Sequence, residues 1–409
     1  MFLYIDPGTG SMLFSILIGL ISTLIFFGQR LILKLKFAIS RGKVKNLNNE
    51  KIPYLIFCEN KRYYNVFKPI CDEFEKRKIE LVYWTSSKDD PIFNIPYNFV
   101  KRTFIGEGNK AFARLNLMNA GICISTTPGL NVYQWKRSRN TNWYVHIFHS
   151  VSDGTGYRMF GLDAFDAILS GGPIVKEQLS IVNKKRGLPD KEFIETGITY
   201  MDVLKERYEC ELGKQIKSNN DLCVLVAPSW GPSALLTKYG EKLIEALLKT
   251  EYKIIIRPHP QSLISEKKHI DSLIQKYPDS EQLKWNFDND NFNSLYESSI
   301  MISDFSGVIF DYAFIFDKPV IYTDVKFDPS PYDAAWLDDE KWLIKNLNKL
   351  GYLLKESDFS DLKHILDFAV SDSKKKEQID ELRKQCWTNI GKSKESIVNY
   401  VVSKFKEFN

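Results

Sequence analysis

The chain has 409 residues, with 56 Lys and Arg set against 51 Asp and Glu for a formal net charge of +5. Both signs are interspersed without a strongly basic stripe or an acidic tail, so nucleic acid is not an expected partner. The six cysteines form no CxxC pair, and several lie in apolar runs, which argues for reduced core thiols rather than a disulfide framework.

The first segment is set apart from the rest. From Pro7 to Gln29 no side chain is charged, and Met12 to Phe27 is almost wholly apolar. At about 1.5 Å rise per residue, this stretch as a helix can cross the roughly 30 Å hydrocarbon core. Arg30, Lys34, Lys36, Arg41, Lys43 and Lys45 follow it, whereas only Asp6 precedes it. That asymmetry predicts one retained span, with the N-terminus outside and the body in the cytoplasm. A cleaved signal peptide is disfavoured, because no basic segment precedes the apolar run. Residues 1–46 are therefore expected to anchor the chain in a membrane.

The remainder is long enough for two domains. Tyr54–Cys58 reads as a strand, Val66–Arg77 as a helix and Glu80–Trp84 as a second strand. Helical text at Lys110–Met118 leads to strands at Gly121–Ser125, Trp143–Phe148 and Ala164–Leu169. A helix at Ile174–Lys185, a strand at Phe193–Thr196 and a helix at Met201–Tyr208 complete an expected first domain, 47–215. After a polar linker at Lys214–Asp221 the alternation restarts in an expected second domain, 216–409. Strands are expected at Leu222–Ala227, Tyr252–Ile256, Ser299–Ile302 and Val320–Tyr322. Helices are expected at Ala234–Leu248, Leu263–Lys276 and Ser306–Phe316. Lys374–Ile390 and Ser393–Phe408 read as closing helices that can pack on either domain. Such alternation predicts an α/β fold of two Rossmann-like domains, with parallel sheets, facing a cleft. Neither a GxGxxG after the first strand nor a GxxxxGK[ST] is present, which argues against dinucleotide oxidoreductases and nucleotide-hydrolysing motors.

Three polar clusters follow apolar strands, where open α/β sheets place their ligands. In the first, His149 stands beside Ser150, Ser152, Asp153 and Gly154, and a carboxylate there could orient an imidazole poised as a general base. His146 reads as the more structural of the two histidines. In the second, Ile254 to Ile256 precede Arg257-Pro-His-Pro260. There Arg257 and His259 stand at a strand tip, where a guanidinium fork can grip a phosphate. In the third, Ser303-Asp-Phe-Ser-Gly307 opens a helix whose free N–H groups, with the hydroxyls of Ser303 and Ser306, suit a pyrophosphate. Capping by Ser303, Asp304 or Ser306 is a compatible role. Asp311 lies further along that helix. No cluster has metal-ligand spacing, so no metal site is expected, while dependence on a divalent metal stays open.

These elements resemble those of the CDP-glycerol:polyglycerophosphate glycerophosphotransferases. Ser303 to Tyr322 is similar to that family's Ser-Asp-Tyr-Ser-Ser pattern, followed by an apolar helix and Lys-Pro before a strand. Arg257-Pro-His-Pro260 is similar to its Arg-x-His-Pro element, and Ala227-Pro-Ser-Trp-Gly231 to its Ala-Pro-Thr-Trp element. Phe148-His-Ser150 stands where the family carries Trp-His-Gly. The resemblance implies a GT-B fold at the inner membrane face of a bacterium, with His149 as catalytic base and His259 at the diphosphate; Asp153, from the residue chemistry alone, is the expected third catalytic residue. It further implies that His259, Ser303, Asp304 and Ser306 hold the donor pyrophosphate, and Trp230, Arg257 and Gly307, in the same three elements, are expected to complete the donor site. The activity implied is transfer of a polyol phosphate from a CDP-linked donor to a hydroxyl of a lipid-linked glycan or polyol-phosphate acceptor, releasing CMP. No tightly bound cofactor is expected, and homo-oligomerisation is left open. The competing expectation is a GT-B glycosyltransferase using a nucleotide sugar for capsule or lipopolysaccharide. A catalytically inactive membrane scaffold is a third.

Overall fold

The computed structural model describes residues 51–212, 222–288, 290–372 and 375–408. The expected anchor, 1–46, and the whole of the expected linker, 214–221, lie outside these residues. Among the described residues, no helix is long and apolar enough to cross a membrane.

The first lobe is built on seven parallel strands. They are β1 (Ile52–Cys58), β2 (Leu81–Thr85), β3 (Val100–Phe104), β4 (Ala120–Ser125), β5 (Thr141–Ile147), β6 (Ala167–Ser170) and β7 (Glu192–Glu195), in the order β3-β2-β1-β4-β5-β6-β7. β4 is buried along its whole length, and β1 from Tyr54 onward. Strands covered on both faces need apolar residues at every position, which is why both read as unbroken hydrophobic text.

The second lobe repeats the plan with six strands. These are β8 (Cys223–Val226), β9 (Lys253–Ile256), β10 (Leu283–Trp285), β11 (Ile300–Ser303), β12 (Val320–Thr323) and β13 (Gly351–Leu354), parallel and ordered β10-β9-β8-β11-β12-β13. Each sheet reverses its winding direction once, between β1 and β4 and between β8 and β11. The crevice beyond those strand ends is where such sheets hold ligands. The architecture is an α/β fold of the GT-B type.

Three strands are absent from the sequence-based expectation: β3, β10 and β13. All three lie at sheet edges, where a strand need not be apolar on both faces, so Val100-Lys-Arg-Thr-Phe104 carries little hydrophobic signal. The helix expected at Leu263–Lys276 is two pieces, Ser262–Ser265 and Lys267–Lys276, parted at Glu266.

The closing helix Ser393–Lys406 divides the expected second domain, 216–409, because it packs on the first lobe. Ile397, Val398 and Val401 join the core formed by Ile56, Phe67 and Ile124. Phe405 lies 5.0 Å, ring to ring, from Tyr54. A Cβ at Gly121 would come within 2.3 Å of the Phe405 ring, so the sheet is shaped to receive this helix.

The lobes are joined by more than this crossing. Backbone hydrogen bonds run from Met159 N to Pro331 O (3.1 Å), Asp333 N to Tyr157 O (2.9 Å) and Ala334 N to Thr155 O (2.9 Å). Beneath them the buried Arg186 binds Asp163 at 2.7 Å and also Asp333. The helix Val308–Ile315 is buried from Ile309 onward and belongs to a core shared by both lobes.

Candidate active site

A cavity of about 1270 Å³ lies between the two sets of strand ends. That exceeds the roughly 300–1,000 Å³ typical of a single small-molecule pocket, leaving room for two ligands. His149 and Ser150 reach it from the segment after β5, Ser229 and Trp230 from that after β8, His259 from that after β9, and Ser306 and Gly307 from that after β11.

His149 is half-buried, with its ring centred 5.0 Å from that of Tyr63 and its Nδ1 2.9 Å from Thr126 Oγ1. Burial, then the charges of Arg62 and His259, push its pKa down to about 4. His259 is held between two prolines and is stacked loosely against Trp230, with the rings inclined by 28° and centroids 6.3 Å apart. Its Nδ1 accepts the Gln261 N–H at 3.1 Å, which leaves Nε2 to carry the ring proton as a donor. Its pKa also falls to about 4, through burial and then Arg62, with Arg257 adding to the effect and Glu266 opposing it.

Ser306 and Gly307 stand just before the helix Val308–Ile315. A Cβ placed on Gly307 would lie 3.8 Å from Val151 O and 3.9 Å from Ser150 Oγ, so the His149 loop passes directly over this helix start. Ile309 N and Phe310 N already donate to Ser306 O (3.3 Å) and Gly307 O (3.1 Å), so the Gly307 and Val308 N–H groups and the Ser306 hydroxyl are what this start can turn to an anion.

Four expected site residues have other work. Asp153 lines the cavity but does not orient His149; Thr126 occupies that position. Asp153 Oδ1 accepts from Thr155 N at 2.9 Å and Thr155 Oγ1 at 2.8 Å, bracing a turn in which Gly154 takes φ +83°. Leu179 packs against that glycine, and a Cβ would meet it at 2.9 Å. Ser303 is fully buried and donates to Ala227 O at 2.6 Å, since it is still part of strand β11. Asp304 is drawn inward by Ser229 N (2.8 Å), Ser229 Oγ (2.9 Å) and Leu235 N (2.9 Å). Arg257 donates to Asn286 Oδ1 and to Asp288 O, beside the end of β10. None of Ser303, Asp304 and Arg257 lines the cavity.

His146 is buried, with Nε2 3.1 Å from Tyr157 Oη, and burial pushes its pKa down to about 3. Asp311 is also buried away from the cavity, and burial raises its pKa to about 8.

The sequence-based list omits Arg62, Arg158 and Lys341, all of which line the cavity. Arg62 is exposed, sits 5.6 Å from the Tyr63 ring and has no acidic partner among the described residues. It follows β1, at the point where the sheet reverses, and that position was its available signal. Arg158 lies 5.9 Å from the Trp230 ring, and Lys341 Nζ stands 2.6 Å from where a Cβ on Gly156 would be. Among the described residues, no group of three or more His, Cys, Asp or Glu is placed to hold a metal ion.

Residues 162–403 match the model of the CDP-Glycerol:Poly(glycerophosphate) glycerophosphotransferase family. The chain belongs to this family. The matched span includes Trp230, His259 and Ser306 but begins after His149, so the geometry alone brings His149 into the site. A stretch of 103 residues is 36% identical to the minor teichoic acid biosynthesis protein GgaB of Bacillus subtilis (strain 168). It covers 23% of this chain and 10% of GgaB, so the chain spans about a tenth of the curated relative it matches. Among solved structures, the wall teichoic acid polymerase TagF with CDPG is similar over 94% of this chain and 98% of that one, at 15% identity and a TM-score of 0.55. S. aureus MnaA with UDP is similar over 87% of this chain and 97% of that one, at 14% identity and a TM-score of 0.59. At these identities the likeness is one of fold.

Proposed function

We propose that this family member transfers a polyol phosphate from a CDP-linked donor to a hydroxyl of a lipid-linked acceptor at the inner membrane. The observation that carries this reading is the approach of His149 and His259, from opposite lobes, to one cavity that also holds Arg62 and the Ser306–Gly307 helix start. Family membership supports a CDP-linked donor, and GgaB and TagF act in teichoic acid synthesis by their names.

In this mechanism the donor diphosphate lies against His259, Ser306, Gly307 and Arg62. His259 Nε2–H donates to a non-bridging oxygen, and the N–H groups of Gly307 and Val308 take others. His149 donates from Nδ1 to Thr126 Oγ1, which leaves Nε2 unprotonated to receive the acceptor proton. The acceptor oxygen forms a bond to the phosphorus that bears the polyol. The bond from that phosphorus to the bridging oxygen breaks, and CMP leaves with the electron pair. Arg62 faces the charge that grows on the diphosphate, so it stabilises the transition state more than the bound donor.

The test is an assay of purified full-length protein with CDP-glycerol or CDP-ribitol and extracted lipid-linked acceptor, read by product mass and nucleotide release. CMP release with a mass gain of one polyol phosphate is expected. Release of UDP or GDP from a nucleotide sugar instead would establish the glycosyltransferase alternative. Unchanged activity in His149→Ala would remove the base assignment.

A further inference from the structure

From Gly108 to Ser152 the sequence contains no Asp or Glu, while it carries Lys110, Arg114, Lys136, Arg137 and Arg139. The fold gathers these cations on one part of the first lobe. The helix Asn109–Leu115 starts at the cavity edge, where Gly108 and Ala111 are lining residues. The loop after β4 also starts at that edge, with Pro128, Gly129 and Tyr133, and then wraps the far end of the helix. Asn116 Nδ2 donates to Gln134 O at 2.9 Å, Lys136 N to Asn116 Oδ1 at 2.7 Å and Ser138 Oγ to Met118 O at 2.6 Å.

Of the five cations, only Arg137 has an acidic partner among the described residues, Asp166 at 2.8 Å. The other four are exposed. Beside them Leu117 and Tyr133 are each 58% exposed, although neighbouring Leu115, Met118 and Trp135 are buried. A surface on which four exposed cations outnumber the acidic residues beside it, Asp166 against Arg137 and Glu107 at the cavity edge, set with an exposed aliphatic and an exposed aromatic side chain, is what binds an anionic bilayer interface. The cations meet the negative surface potential, at about 1 kcal/mol for each Lys or Arg near it. The apolar groups enter the boundary between head groups and acyl chains.

We propose that this face of the first lobe docks on anionic phospholipid, turning the adjoining edge of the cavity toward the bilayer. The inference rests on the reading that the body works at a membrane, and it deepens that reading by stating which surface meets the lipid. A single anchor at one end of a chain leaves the orientation of the body undefined. A docked face beside the cavity would instead present the site to a hydroxyl held close to the head groups.

The test uses the full-length protein in vesicles of phosphatidylcholine with or without about one-third phosphatidylglycerol, with a lipid-borne quencher. Cys210 is the one exposed cysteine among the described residues, so it is first replaced by Ser. A polarity-sensitive fluorophore is then placed at Leu117→Cys, or at Ile264→Cys on the second lobe, where exposure is 72%. Quenching at 117 several-fold above that at 264, dependent on phosphatidylglycerol and lost in a Lys110→Glu, Arg114→Glu, Lys136→Glu, Arg139→Glu variant, is expected. Equal quenching at both sites, or quenching indifferent to lipid charge, would overturn the proposal. So would relief of quenching at 117 by free poly(glycerol phosphate) at physiological salt, which would assign the face to the polymer. Loss of vesicle association altogether is a different outcome, because it would refute the membrane reading on which the proposal stands.

Discussion

His259 and His149 approach one cavity from opposite lobes with their Nδ1 atoms already engaged, by Gln261 N at 3.1 Å and Thr126 Oγ1 at 2.9 Å. Each ring therefore has its Nε2 left for chemistry. For His259 the tautomer is fixed, since a backbone N–H can only donate. For His149 the hydroxyl of Thr126 can take either role, so the proposed base depends on that hydroxyl accepting.

Replacing His149 by Ala should lower kcat by about 10²–10⁴-fold, the usual contribution of a positioned base. Thr126→Val should keep the fold and lower kcat by a smaller factor, because the ring then loses what selects its tautomer. Thr126→Ser should restore most of the rate. Steady-state kinetics on the three variants checks the order, and a Thr126→Val enzyme as fast as the parent would mean that Thr126 does not set the tautomer.

Acid should destabilise the fold through His146. Burial holds its folded pKa near 3, below the value of about 6.5 expected for an unfolded histidine. The unfolded chain therefore binds the proton first, and stability is full above about pH 6.5 and lost as the pH falls toward 3. At pH 5 the loss from this one group is about 2 kcal/mol. Denaturant unfolding at pH 7.5 and 5.0 should show a smaller drop for His146→Phe than for the parent protein. Equal drops would place the acid sensitivity elsewhere.

Arg62 lowers the pKa of both cavity histidines, so its removal is expected to have two separable effects. Arg62→Ala should reduce kcat by roughly 10–100-fold through lost charge stabilisation. It should also move the acidic limb of kcat/KM to higher pH, because protonated His149 is no longer opposed by the guanidinium. A pH profile of kcat/KM from about pH 4 to 8 reads the second effect independently of the first. A variant with a lower rate but an unmoved limb would mean that Arg62 acts away from the histidines.

Asp304 and Ser303 should separate structure from ligand binding. Asp304 ties the end of β8 to the helix Leu235–Leu248 through Ser229 and Leu235. Asp304→Ala leaves buried N–H groups unpaired, at about 1–3 kcal/mol each. It should lower thermal stability and raise the donor KM, because Ser229 and Trp230 lose their brace. Ser303→Ala removes one hydrogen bond to Ala227 O, and should cost about 1 kcal/mol with catalysis nearly intact. A Ser303→Ala enzyme with normal stability and a greatly raised donor KM would restore Ser303 to the ligand site.

Much of this arrangement was legible in the sequence, and the exceptions share causes. Central strands such as Ala120–Ser125 announce themselves because both their faces are covered. The edge strands Val100–Phe104, Leu283–Trp285 and Gly351–Leu354 do not. His149, His259, Ser306 and Gly307 could be found because they follow recognisable strands directly. Ser303, Asp304 and Arg257 follow the same rule yet turn away from the cavity. One residue along a strand end reverses the side-chain direction, and a short polar group is easily captured by neighbouring backbone. Arg62 was missed for a different reason. It is one exposed basic residue among many, and only the strand order shows that the end of β1 opens on the cleft.

Gly307 gives a test of the anion site that leaves the backbone unstrained, since its φ is −62°. An added methyl would sit at ordinary contact distance from Val151 O and Ser150 Oγ, so Gly307→Ala should fold normally and retain most activity. Gly307→Val adds two further methyl groups beside the Val308 N–H that opens the helix Val308–Ile315, in the space proposed for the diphosphate. Its donor KM should rise at least tenfold while thermal stability stays near that of Gly307→Ala. Calorimetric titration with CDP checks this without turnover. If the Val and Ala variants bind CDP equally well, the diphosphate does not rest on this helix start.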